Sequence, residues 1–229
     1  KNTIDFLIKY EGMTAKDAVF RLAEGYTSGV VYRSTPTKAK EKETPKEFIL
    51  PVQNENHKRA WAYLVITRML DAKIVNHLMA ECKIYESEKT HNCVFLGKDE
   101  NGIAKYGTMR GTYNGTKFRG DIEGSEKDYG FLMEGSGKRV YVFESAIDSI
   151  SHATLTKIQG MDWSKDYRLS LGCVADKALI KFLETHKDID KIVFCLDNDK
   201  AGLKAMKNFC EKYSDLGYKT ASLAPTSKD

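Results

Sequence analysis

The chain has 229 residues, 41% hydrophobic and 30% charged, so it can fill one large core or two small ones and is neither disordered nor fibrous. No run approaches the roughly 18 consecutive apolar residues of a membrane-spanning helix, and Lys1-Asn2-Thr3-Ile4-Asp5 lacks the apolar stretch of a signal peptide. A net charge of +4, from 36 Lys+Arg against 32 Asp+Glu, fits a nucleic-acid partner only if the basic groups gather on one face.

The first 24 residues read as two short helices. Ile4, Leu7 and Ile8 form one apolar face, and Thr14-Ala15-Lys16-Asp17 has the form of a capping box that opens the second. From Ser34 to Lys46 the chain holds no large apolar residue, which predicts a solvated linker. Residues 58–68 and 71–82 then carry helical apolar stripes, Trp61, Leu64 and Val65 followed by Ile74, Val75, Leu78 and Met79. After these the period shortens to that of strands around 84–85, 93–96, 103–106 and 117–118. Ten of the 17 glycines fall between Gly97 and Gly137, which predicts a small, mostly antiparallel meander broken by turns.

From Arg139 the pattern changes again. Apolar strands at 139–143, 167–171, 191–196 and 218–223 alternate with helical stretches at 145–158, 175–185 and 201–213. Regular alternation predicts a parallel sheet with helices on both faces, so the fold class is α/β, with a small helical and antiparallel-β domain in front. The expected domains are a helical unit at 1–33, a linker at 34–47, the meander domain at 48–137 and the parallel-sheet domain at 138–229.

In a parallel sheet the residues just past the carboxyl ends of the strands meet in one crevice. Those positions are acidic here. Glu144 follows the first strand with Asp148 one turn on, and Asp197-Asn198-Asp199-Lys200-Ala201-Gly202 follows the third. Four carboxylates at one edge repel each other, and a divalent cation removes that cost. All-oxygen ligands favour Mg²⁺ or Mn²⁺ over zinc. In the meander, Lys105, Arg110, Lys117 and Arg119 alternate with aromatic residues among glycines, a face suited to phosphates and bases. The five cysteines are odd in number and widely spaced, with no C-x-x-C. They read as reduced thiols of a cytoplasmic protein with no membrane partner.

Val142-Phe143-Glu144-Ser145-Ala146-Ile147-Asp148 and Val193-Phe194-Cys195-Leu196-Asp197-Asn198-Asp199-Lys200-Ala201-Gly202 resemble the two acidic motifs of the TOPRIM domain, which bacterial-type primases, topoisomerases and some nucleases share. The D-x-D-x-A-G form resembles the primase variant. Ser145 departs from it, since primases usually carry Gly after the glutamate. Pro225–Asp229 resembles the start of a third motif. Residues 3–18 resemble the tail of a primase zinc-binding module, so zinc would belong only to a segment preceding Lys1. Residues 50–135 resemble the domain before TOPRIM in primase-like proteins of plasmids and integrative elements.

The resemblance implies primer synthesis on a single-stranded DNA template from nucleoside triphosphates, with a helicase or other replication or conjugation proteins as partners. It implies Asp197 and Asp199 as metal ligands, Glu144 as a further ligand or as proton acceptor from the attacking 3′-hydroxyl, and Asp148 as an auxiliary ligand. Lys200 and Gly202 would meet the nucleotide. Lys105, Arg110, Lys117 and Arg119 would carry the template. A TOPRIM nuclease, or a nucleic-acid-binding module without turnover, uses the same residues and stays open.

Overall fold

A computed structural model describes residues 3–24, 47–113, 115, 118–173 and 175–223. The expected linker, Lys117 and the Pro225–Asp229 motif lie outside the described residues, the linker all but for its last position. The chain divides into two compact units, Lys1–Thr44 and Pro45–Asp229.

In the first unit, α1 (Thr3–Glu11) packs against α2 (Ala15–Glu24). The Thr14 hydroxyl accepts from the Asp17 amide at 3.2 Å and donates to the Asp17 carboxylate at 2.6 Å, so the cap read from the sequence forms.

The second unit opens with α3 (Lys58–Ala62), which continues into a π-helical turn at Tyr63–Thr67, and then α4 (Ala72–Ala80). The sequence reads 58–68 as one regular helix. Instead the Arg68 amide reaches back five residues to the Tyr63 carbonyl at 2.9 Å. A four-stranded antiparallel sheet follows, β1 (Ile84–Glu86), β2 (Cys93–Lys98), β3 (Ala104–Arg110) and β4 (Arg119–Asp121), in chain order. This is the expected meander.

The second sheet has five strands in the order β5-β7-β6-β8-β9, from β5 (Phe131–Met133), β6 (Arg139–Phe143), β7 (Tyr167–Ser170), β8 (Lys191–Cys195) and β9 (Lys219–Ser222). Strands β6 to β9 pair in parallel, as alternation predicts. Strand β5 lies where the sequence shows no strand period. It adds to the outer edge, antiparallel to β7, because Phe131 and Met133 bury on one face while Leu132 packs on the other. Helix α5 (Ala146–Ile158) covers one face of the sheet, beside Tyr141 and Phe143. Helices α6 (Lys177–Thr185) and α7 (Lys200–Asp215) cover the other, over Val140, Val142 and Phe194.

One core cluster crosses position 138. Leu64, Ile74 and Leu78 of the helices, Phe95 of β2, Phe131 and Met133 of β5, and Ile147 and Ile150 of α5 pack together, each at most 2% exposed. Each such side chain contributes roughly 1.5–3 kcal/mol by leaving water. The two sheets therefore share a core, and a site between them has rigid walls.

Candidate active site

The acidic residues come together because β6 and β8 are parallel neighbours in register. Phe143 stands opposite Cys195, so both chains leave the sheet at one edge. There the Asp197 amide donates to Glu144 Oε1 at 3.1 Å. Ser145 caps α5, which sets Asp148 one turn into the helix. Asp199 caps α7, its Oδ1 accepting from the Gly202 amide at 2.8 Å.

Glu144 is half-buried and its pKa is raised. Burial is the largest cause, opposed by the Asp197 amide and reinforced by the charges of Asp197, Asp199 and Asp148. The four predicted carboxylates thus lie within electrostatic reach of one another.

A cleft of about 580 Å³ opens over this edge. Glu144, Asp148 and Asp197 line one side, and Arg68, Arg110, Arg119 and Asp121 from the helical and meander elements line the other. Asp199 caps α7 without joining the cleft wall. Lys200 is exposed at the start of α7 and also stands outside the wall. Lys105 turns instead to Glu126, 3.7 Å away. A second cavity of about 460 Å³, with Leu132, Leu169 and Phe182 in its walls, contains none of the predicted residues.

Two glycines permit the close packing here. A Cβ on Gly202 would stand 2.2 Å from the Asp197 carbonyl oxygen and 3.1 Å from Glu144 Oε1. Gly202 therefore serves the approach of α7 to the acidic edge. Gly172 has φ +69, and a Cβ there would meet the Tyr106 hydroxyl at 2.0 Å. Its amide donates to the Glu144 carbonyl at 3.0 Å. Tyr106 is itself buried and donates to Asp121 at 2.6 Å. A continuous set of contacts thus links the meander to the backbone of Glu144.

Sequence reasoning missed Arg68 and Asp121. Arg68 follows the π-turn and precedes Met69, an exposed residue at φ +56. Nothing in the helical periodicity announces that turn. Two buried charges, Glu86 and Arg168, are fully hydrogen-bonded at 2% and 1% exposure and belong to the scaffold.

The donor set at the acidic edge is all oxygen, which fits a hard divalent cation. Among the described residues no three His, Cys, Asp or Glu side chains stand ready as a complete ligand cluster.

A parallel sheet with these carboxylates past the ends of adjacent strands defines the class. Residues 141–229 match the Toprim-like family model. Residues 62–138 match a second model, described as "Protein of unknown function (DUF3991)". No curated protein matches the chain. Among solved structures the chain is similar to the primase fragment of the bacteriophage T7 primase-helicase protein, at 17% identity and TM-score 0.53, over 72% of this chain and 65% of that one. It is also similar to the E. coli primase catalytic core, at 14% identity and TM-score 0.50, over 75% and 67%. The fold is that of primase catalytic cores, and the chain spans about 65% of the length of the T7 fragment. No helix among the described residues is long and apolar enough to cross a membrane.

Proposed function

We propose that this chain is the catalytic core of a primase-like nucleotidyltransferase, which joins nucleoside triphosphates into short primers on single-stranded DNA with Mg²⁺ or Mn²⁺. The observation that carries the reading is the single cleft with carboxylates on one wall and arginines on the other. Like charges stand close together on each wall, offset in part by Asp121 among the arginines. Glu144 faces the charges of Asp148, Asp197 and Asp199, and Arg110 stands directly opposite Arg119 across β3 and β4, a pairing of like charges that costs stability. A phosphate chain and a cation bound together would relieve both walls at once.

In this reading Asp197 and Asp199 hold the ion, with Glu144 and Asp148 beside them. When bound, the ion supplies positive charge to the phosphate oxygens and to the leaving group. Arg68, Arg110 and Arg119 bind and orient phosphates of template or nucleotide. Lys200 and the first turn of α7 offer a further cationic end for the nucleotide. Glu144, half-buried in the cleft beside these carboxylates, accepts the proton of the primer 3′-hydroxyl.

Incubation with single-stranded DNA, labelled nucleoside triphosphates and Mg²⁺ tests this. Labelled products extended on the template support it. Nicked template with no incorporation would assign the site to hydrolysis, and binding alone would assign it to a module without turnover.

A further inference from the structure

Ser145 departs from the glycine that the resemblance implies after Glu144, and its side chain has an uneven pair of bonds. Its hydroxyl donates to Asp148 Oδ2 at 2.5 Å. The capping bond it accepts from the Asp148 amide is much longer, 3.4 Å. For a helix cap the second bond should be the important one. In a capping box, moreover, the acidic side chain reaches back to the backbone amide of the cap residue. Here the carboxylate accepts a hydrogen bond from the hydroxyl, as the Asp17 carboxylate does from Thr14.

Thr14 and Asp17 make a similar pair at the start of α2, with both bonds well formed at 2.6 and 3.2 Å. That pair is exposed. What sets Ser145 apart is its place. Ser145 and Asp148 both line the cleft that Glu144 and Asp197 enter. The charge of Asp148 acts on Glu144, so repulsion favours swinging Asp148 away from its neighbours. A short charge-assisted hydrogen bond opposes that swing.

We propose that Ser145 is a positioning residue whose hydroxyl holds the Asp148 carboxylate in the cleft wall, so that the acidic edge is set to receive a divalent ion before the ion arrives. The inference rests on the metal-binding reading above. Supporting groups of this kind typically change metal affinity by about 10–100-fold when removed. The serine oxygen needs no contact with the ion to have this effect. It fixes one carboxylate oxygen and leaves the group's orientation settled in advance.

The test is titration of the protein with Mn²⁺ alone, followed by electron paramagnetic resonance of the free ion, on the wild type, Ser145→Gly, Ser145→Ala, Ser145→Thr and Asp148→Asn. Glycine is nearly as good a cap as serine, and its melting temperature should move by only about 1 °C. Alanine caps poorly. If capping were the role, Ser145→Gly would bind Mn²⁺ like the wild type, and that result overturns the proposal. If positioning is the role, Ser145→Gly and Ser145→Ala bind about 10–100-fold more weakly, and Ser145→Thr recovers the loss. The double variant Ser145→Gly/Asp148→Asn should bind no more weakly than Asp148→Asn alone, because the hydroxyl then has no carboxylate to hold. Full additivity of the two losses would refute it. A wild type that takes up no Mn²⁺ defeats the metal-binding reading itself and the proposal with it, an outcome distinct from the others.

Discussion

The two walls of the cleft are built by different kinds of sheet, and they differ in how they fix a side chain. In the parallel sheet, β6 and β8 both run toward the same edge, with Phe143 opposite Cys195. Whatever residue follows either strand must arrive there, so topology alone places Glu144 and Asp197. In the antiparallel meander, position depends on register. Arg110 and Arg119 are direct partners across β3 and β4 and both reach the cleft. Lys105 is on the same strand as Arg110, but it falls where the β2–β3 register shifts, beside Gly97 and Lys98. It turns away to Glu126. Acid placement is thus a property of the fold, while base placement is a property of individual pairings.

The largest expected effect is on the acidic wall. Glu144→Gln should lower turnover by about 10²-fold or more if Glu144 accepts the proton, and Asp197→Asn should abolish metal-dependent nucleotide binding. Neither variant should lose stability without metal, because each removes a repelling charge. The pH dependence has a definite sign. Glu144 has a raised pKa, so its stabilising contribution is present when it is protonated, below the ordinary glutamate range, and is lost as pH rises through its folded value. Metal-free Glu144→Gln should therefore melt higher than the wild type above that value and converge with it at low pH. Thermal melting across the range checks this. A variant less stable at neutral pH would mean that Glu144 is held by favourable contacts that outweigh the repulsion.

This contrast explains what the sequence made legible. Strand–helix alternation after Arg139 foretold β6 to β9 and the edge where Glu144, Asp148 and Asp197 gather. The capping box at Thr14 was readable because its signal is local. Strand β5 was not, since a three-residue edge strand such as Phe131–Met133 has too few positions to show a period. Arg68 was hidden for a different reason. A π-turn adds one residue to a helix without altering its composition, and only the 2.9 Å bond from the Arg68 amide to Tyr63 reveals it.

The next effect is steric and sharpens the same comparison, because each wall leans on one glycine. Gly202→Ala would push a methyl group into the Asp197 carbonyl oxygen at 2.2 Å. Gly172→Ala would combine a left-handed backbone with a contact at 2.0 Å to Tyr106. Each should destabilise by about 1–3 kcal/mol through overpacking, with Gly172→Ala the more costly because backbone strain adds to it. Denaturant titration measures this. If Gly202→Ala is neutral, α7 can shift away from the edge and the acidic wall is less rigid than its geometry implies.

A smaller effect falls on the basic wall. The double variant Arg110→Ala/Arg119→Ala should weaken single-strand binding and reduce the slope of log K against log salt by about 0.7 for each lost phosphate contact. Lys105→Ala should change the slope less than either arginine does, since Lys105 is held by Glu126 outside the cleft. Equal slopes for all three would show that the whole meander face, and not the cleft, carries the strand.

The smallest effect concerns what keeps the two walls together. Asp71 caps α4, accepting from the amides of Lys73 and Ile74 at 2.9 and 3.1 Å, and both its oxygens meet Lys157 of α5 at 2.6 Å. Burial alone would raise its pKa, but Lys157 and the two amides outweigh it and leave the pKa lowered. Its contribution is therefore present above the ordinary aspartate range and is lost as pH falls through the folded value. Asp71→Asn keeps the cap and loses the ion pair, which for a partly exposed pair costs about 0.5 kcal/mol. Asp71→Ala loses the cap as well, about 1 kcal/mol more. Because α4 stands on the meander side and α5 carries Asp148, the asparagine variant also asks whether the pair aligns the walls. If alignment depends on it, Asp71→Asn weakens single-strand binding beyond its small loss in stability. If the shared apolar core suffices, only the melting temperature moves, and only above the pH at which Asp71 becomes protonated.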